Sequence, residues 1–188
     1  VTTSTSRTLY LIGCAAPPAR RLTTPIRAAQ HAGWDVCLVL TPSAHRWMTD
    51  DPAGNLDELV ELTGHPVRHI YKLPSQPDVL PPPDAIICAP LTANTLNKWA
   101  AGISDTLALG LLTEGIGLGL PLIGLPHFND AQYRHPAIAS SIATLRAAGV
   151  TLLLDDGDGA GGFTPHPPRQ GDLDAYPWEL ALAALPKR

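Results

Sequence analysis

Five apolar runs separated by helical segments constrain this chain more than any other feature. TLYLIG (8–13), DVCLVLT (35–41), DAIICA (84–89), LPLIGLP (120–126) and VTLLL (150–154) are apolar nearly throughout, without a polar face. Such strands are covered on both sides, the situation of a parallel sheet whose crossovers are helices. The helices read as PARRLTTPIRAAQHAG (18–33, with a break near Pro25 and Gly33 as its stop), SAHRWM (43–48), NLDELVELTG (55–64), 92–113, 136–149 and 177–185. VRHIYK (67–72) is a further candidate strand. At 188 residues this predicts a single α/β domain, a doubly wound parallel sheet that is Rossmann- or flavodoxin-like. Two stretches break the rhythm. KLPSQPDVLPPP (72–83) predicts an extended loop, and the Gly- and Pro-rich 155–172 a mobile flap or loop. Residues 1–7 are expected to be a flexible N-terminus.

Charge narrows the function classes. The net charge of -4 offers no basic footprint for nucleic acid, and no apolar run reaches membrane-spanning length. Only 16% of residues are charged, which suggests surface hidden in an oligomer. VTTSTSR lacks a charged start followed by an apolar core, so no secretory signal is expected and the location is read as cytoplasmic. Cys14, Cys37 and Cys88 match neither a zinc pattern nor CxxC, and read as buried reduced thiols.

Open parallel sheets bind ligands beyond the carboxyl ends of their strands. No G-x-G-x-x-G follows the first strand; GCAAPPARR (13–21) stands there instead, with small residues that let a ligand approach the backbone. Gly115, Gly117 and Gly119 precede a strand and read as a helix-to-strand turn. The strand ends Gly13–Ala16, Thr41–Trp47, Ala89–Thr95 and Leu125–Asp130 carry small polar groups and describe one cleft. Thr41 and Ser43 suit either a phosphate or the cap of the helix that follows, and Thr92 or Asn94 suit a cap as well. One cap does not account for Thr92, Asn94, Thr95, Asn97 and Lys98 together. Leu96, Trp99, Ala100, Ile103 and Leu107 form an apolar stripe, while Asn94, Lys98 and Asp105 lie on another face.

PLTANTLNKWAAGISDTL resembles the PASANT-type motif of the homo-oligomeric flavin-containing cysteine decarboxylases, from Pro90 through Asn94, Thr95, Asn97 and Lys98 to Gly102, Asp105 and Leu107. PHFNDAQYRHP (126–136) resembles that family's P-x-M-N-x-x-M-W segment at Pro126, Asn129 and Pro136, and departs from it at Phe128 and Gln132-Tyr133. The resemblance implies FMN, a flavodoxin-like fold and a trimeric unit with the flavin at the subunit interface. It implies Asn94 and Asn129 as polar contacts of flavin and substrate. Gly13, Ala15, Thr41, Ser43, Pro90, Leu91 and Thr92 become expected cofactor neighbours.

The implied chemistry is oxidation of a cysteine side chain, which creates the electron sink that lets CO2 leave and yields an enethiol. The family's base is a histidine upstream of the motif. RHIYK offers His69, at a longer spacing to Pro90 because 72–83 intervenes. His65 is a weaker candidate, and His127 and His135 flank the substrate segment. His31, His45 and His166 read as surface. No cysteine follows Cys88, unlike the pantothenate-pathway enzymes, whose flap cysteine reprotonates the product. The chain is therefore most similar to cypemycin-type peptidyl-cysteine decarboxylases, with the C-terminal cysteine of a precursor peptide as expected substrate. A phosphopantothenoylcysteine decarboxylase-like enzyme, a flavin prenyltransferase or flavin carrier, and a non-catalytic module are the alternatives.

Overall fold

The computed structural model describes residues 7–155, 161–172 and 174–187. The five expected strands form one parallel sheet: β1 (Arg7–Gly13), β2 (Trp34–Leu40), β3 (Ala85–Leu91), β4 (Leu122–Pro126) and β5 (Thr151–Leu152). Their order is β2-β1-β3-β4-β5, the flavodoxin-like doubly wound arrangement. Every position of β3 and β4 is buried, which is why these runs carry no polar alternation.

The helices are α1 (Thr23–His31), α2 (Pro42–Asp50), α3 (Leu56–Thr63), α4 (Ala93–Ala100), α5 (Leu107–Gly117), α6 (Asp130–Tyr133), α7 (Pro136–Ala147) and α8 (Trp178–Ala183). They pack in two groups, α1 with α3 and α8, and α4 with α5 and α7. Chain reversal falls between β1 and β3, which leave in opposite directions along the sheet. A crevice therefore opens at their carboxyl ends. Register brings the strand ends level there, with Gly13 opposite Leu40 and Leu91 opposite Pro126. The Ala89–Pro90 peptide is cis.

Several expected elements differ. The helix expected over 92–113 is two helices. Its first part ends at Ala101, Gly102 adopts a left-handed φ of 69°, and Thr106 starts α5 by accepting a hydrogen bond from Leu109 N–H. Ile103, placed on the apolar stripe, is consequently 43% exposed in the connection. The helix expected over 18–33 is a 3-10 turn (Pro17–Arg21) followed by α1. Pro25 does not break it, because it occupies the first turn, where no N–H is required. Residues 67–72 form no strand. Arg68 alone pairs with the edge of β2, accepting from Leu40 N–H at 2.8 Å and donating to the Leu38 carbonyl at 3.2 Å. Arg7, assigned to a flexible terminus, opens β1 with its guanidinium 4.1 Å over the Trp34 ring. The remainder of that terminus (1–6) and residues 156–160 of the expected flap lie outside the described residues.

Candidate active site

A cavity of about 920 Å³ lies beyond the carboxyl ends of β1 to β4. Of the expected site residues, Ala15, Thr41, Ser43, Thr92, Asn94 and Asn129 line it. Gly13, Pro90 and Leu91 sit beneath. The Gly13 carbonyl accepts from Thr41 N–H (3.0 Å), the Pro90 carbonyl from Cys14 N–H (3.1 Å) and the Leu91 carbonyl from His127 N–H (2.9 Å). These bonds tie each strand end to its neighbour, so the lining residues stand on rigid backbone. A Cβ on Gly13 would meet Leu40 Cδ2 at 3.0 Å, so a larger residue there would press on the Leu40 side chain.

The cluster of amides and hydroxyls at the start of α4 divides between two jobs. Thr92 Oγ1 accepts from Thr95 N–H at 3.4 Å and caps the helix, as Thr41 caps α2 through Ala44 N–H. Asn97 Oδ1 accepts from the Ser141 hydroxyl at 2.7 Å and joins α4 to α7. Lys98 pairs with Asp105 across the connection to α5. Asn94 is left over: its exposed side chain makes no hydrogen bond among the described residues and opens on the cavity. Asn129 Oδ1 accepts from Gln132 N–H at 2.9 Å in a capping box, which leaves its amide N–H groups for a ligand.

The same cavity is lined by residues the sequence does not single out. His166, read as surface, lines the cavity half-buried, and its Nε2 is buried without a hydrogen-bond partner. Its carbonyl accepts from Asp130 N–H at 2.9 Å, which binds segment 161–172 to the end of β4. Arg169, with a left-handed φ of 64°, also lines the cavity. Lys98 and Arg169 are the charged lining residues, and no Asp or Glu is among them, although the chain as a whole is acidic. With Lys98 already paired to Asp105, Arg169 is the lining cation left for an anion.

His127 lines the same cavity. Burial, and then the charge of His166, push its imidazole down to about 4. His69 is not among the lining residues. Its ring stacks on His45 with centroids 3.5 Å apart, and burial followed by His45 lowers its pKa. His45, also read as surface, is half-buried by that stacking. His65 is engaged with Asp35 (2.8 Å), and His135 Nδ1 accepts from Ala137 N–H at the start of α7. All three cysteines are free and buried. Cys14 and Cys88 lie under the cavity with sulfurs 3.9 Å apart. Hydrogen bonding from Cys88 lowers the Cys14 thiol to about 7, against burial.

Comparison with known proteins places this chain in a lineage. Mouse (Mus musculus) phosphopantothenoylcysteine decarboxylase is 34% identical over 115 residues, 61% of this chain and 48% of that protein. The chain spans about half or less of the length of the first relatives it matches. Among solved structures, the cypemycin decarboxylase CypD superposes with a TM-score of 0.67 at 19% identity, covering 96% of this chain and 92% of that one. The FMN-dependent cysteine decarboxylase SpaF gives 0.63 at 20% identity, covering 95% and 96%. At such identities these structures establish the shared fold. The Flavoprotein family model matches residues 22–167, from the start of α1 through the segment that carries His166, and the chain belongs to that family.

Proposed function

We propose that this protein is an FMN-dependent peptidyl-cysteine decarboxylase. It converts the C-terminal cysteine of a ribosomally made precursor peptide to an enethiol, the precursor of aminovinyl-cysteine. The observation that carries this reading is the meeting of Asn94 and Asn129 at one acid-free cavity at the reversal point of the sheet.

The residues present fit the cofactor. A cavity of about 920 Å³ is of the size that takes a nucleotide-like ligand. Ala15 and Ala16 leave room for a flat ring. The Ser43 hydroxyl and the N-terminal turn of α2 suit a phosphate, with no carboxylate in the lining to repel it. When bound, FMN supplies the two-electron acceptor that a saturated cysteine lacks. The uncommitted Asn94 amide donates to the substrate carboxylate, and the Asn129 amide, fixed by its cap, orients the cysteine.

His69, the base suggested by the sequence, stands outside this cavity, and in that role it serves the site of a neighbouring copy of the chain. Ile70, Tyr71, Leu73 and Val79 beside it are all exposed, which supports a homo-oligomer built on the trimeric unit that the motifs imply. No cysteine follows Cys88, so segment 161–172 brings no thiol to protonate the product, and the reaction stops at the enethiol.

Mass spectrometry of a peptide ending in cysteine, incubated with FMN-loaded protein, tests the reading. The expected product has lost CO2 and two hydrogens. Loss of CO2 alone, or conversion only of phosphopantothenoylcysteine, overturns the peptide assignment.

A further inference from the structure

We propose, resting on the reading of His69 as the base, that His45 is a positioning residue for the decarboxylation: its ring, stacked face to face on that of His69, sets the orientation in which the base meets the thiol. Residues 67–72 form no strand, so no ladder fixes His69. Its main chain is tethered one residue earlier, where Arg68 bridges to Leu38 and Leu40 on the edge of β2. Two residues later the Tyr71 hydroxyl donates to the Ser104 carbonyl at 3.0 Å. The Tyr71 ring lies against Gly110, where even a Cβ would collide with that hydroxyl. The backbone around the base is thus held from both sides.

The ring has a different support. Neither nitrogen of His69 or of His45 makes a hydrogen bond among the described residues. What orients the His69 imidazole is the stack, with centroids 3.5 Å apart and planes 13° from parallel. Both rings are half-buried. His45 stands on α2, and its N–H donates to the Thr41 carbonyl at 2.9 Å. Leu40, which carries the Arg68 bridge, precedes Thr41, and Ser43, which lines the cavity, precedes His45 by two residues. One short stretch, 40–45, therefore supports the main chain of the base, its ring and a wall of the cavity.

The stack also bears on charge. Burial lowers the pKa of His69, and His45 and then Arg68 lower it further. Arg46 on α2 is paired with Asp50 at 3.5 Å, Lys72 with Asp78 at 3.0 Å and His65 with Asp35 at 2.8 Å. No carboxylate among the described residues acts on His69 to offset its positive neighbours. Two protonated rings at this separation repel, so the stack favours the neutral imidazole, the form that accepts the thiol proton on a ring nitrogen. A ring pinned in its plane presents that nitrogen without a search over rotamers.

His45→Ala removes both ring and charge, and His45→Phe keeps a flat ring without the charge. With FMN-loaded protein and a synthetic peptide ending in cysteine, anaerobic bleaching of the flavin is followed at saturating peptide and about pH 8, where His69 is neutral in every variant. His45→Ala slows bleaching by about 10–10²-fold, and His45→Phe recovers most of the rate. Peptide affinity by calorimetry, the circular dichroism spectrum and the mass by light scattering stay at wild-type values in both. A wild-type rate in His45→Ala, or a loss in His45→Phe as large as in His45→Ala, overturns the proposal. A second readout needs no flavin. In unloaded protein with labelled histidines, the NMR titration midpoint of His69 lies below 6.5 in wild type and rises in His45→Phe, because the like charge is gone. An unmoved midpoint means that the rings do not stack in solution, which also overturns the proposal. If His69→Ala bleaches as wild type does, His69 is not the base, and this assignment falls while the decarboxylase reading stands. If wild type leaves every cysteine peptide unchanged, the decarboxylase reading falls and takes this assignment with it.

Discussion

The indole N–H of Trp99 donates to the carbonyl of Leu112 at 3.1 Å inside the core. This bond fastens α4 to α5, two helices with a break between them. It holds the cavity-lining turn Thr92–Lys98 against the helix that packs behind it. Trp99→Phe removes this second donor to the Leu112 carbonyl, which keeps its partner within α5, and opens a void beside Gly124, whose position lies within contact of the indole. The expected loss is about 1–3 kcal/mol in denaturant unfolding. A variant as stable as wild type would show that the helices need no such tie.

That break also marks where the sequence stops being readable. Fully buried strands announce themselves, because burial on both faces demands apolar residues at every position, and β1 to β4 fall within two residues of the expected runs at nearly every boundary. The apolar repeat of α4, however, continues through Ile103 to Leu107, and periodicity alone carries the helix across the gap. Gly102 and the capping Thr106 were the local signals of a stop and restart. Asn94 and Asn129 were legible because motif and strand end coincide. His166 and Arg169 were not: they lie in an aperiodic Gly/Pro segment, and only the docking of that segment on Asp130 N–H brings them to the cavity.

Tyr176 contributes stability and holds the histidine wall. Tyr176→Phe keeps the ring and removes a buried hydrogen bond of 2.6 Å. A cost of about 1–2 kcal/mol is expected, a drop in Tm of about 2–8 °C in a chain of this size. Calorimetry checks it. No change in Tm would mean that the Leu125 carbonyl finds another donor.

The proposed assembly predicts an effect from a surface that a monomer would not notice. Ile70 and Leu73 are 58% and 63% exposed. In a monomer, Ile70→Asp and Leu73→Asp together are near neutral, within about 0.5 kcal/mol each. In the homo-oligomer they bury charge in an interface and dissociate it. Light scattering should show the mass of wild type fall to that of one chain in the double variant, and an unchanged mass removes this face from the interface.

Acid should weaken the fold through an imidazole that lines the cavity. The pKa of His127 is near 6.5 in the unfolded chain and depressed to about 4 in the folded one, so between these values the unfolded state binds the extra proton. Stability therefore falls as pH drops below about 6.5, and the His127 contribution to that fall is complete once pH passes below about 4. His69, also depressed, adds a slope of the same sign. Because His127 is partly open to solvent, the slope is smaller than a fully buried imidazole would give. His127→Asn removes this titration, so its stability should change less than that of wild type between pH 7 and 5 in parallel urea melts. Parallel curves for the two proteins would mean that the His127 imidazole titrates alike folded and unfolded.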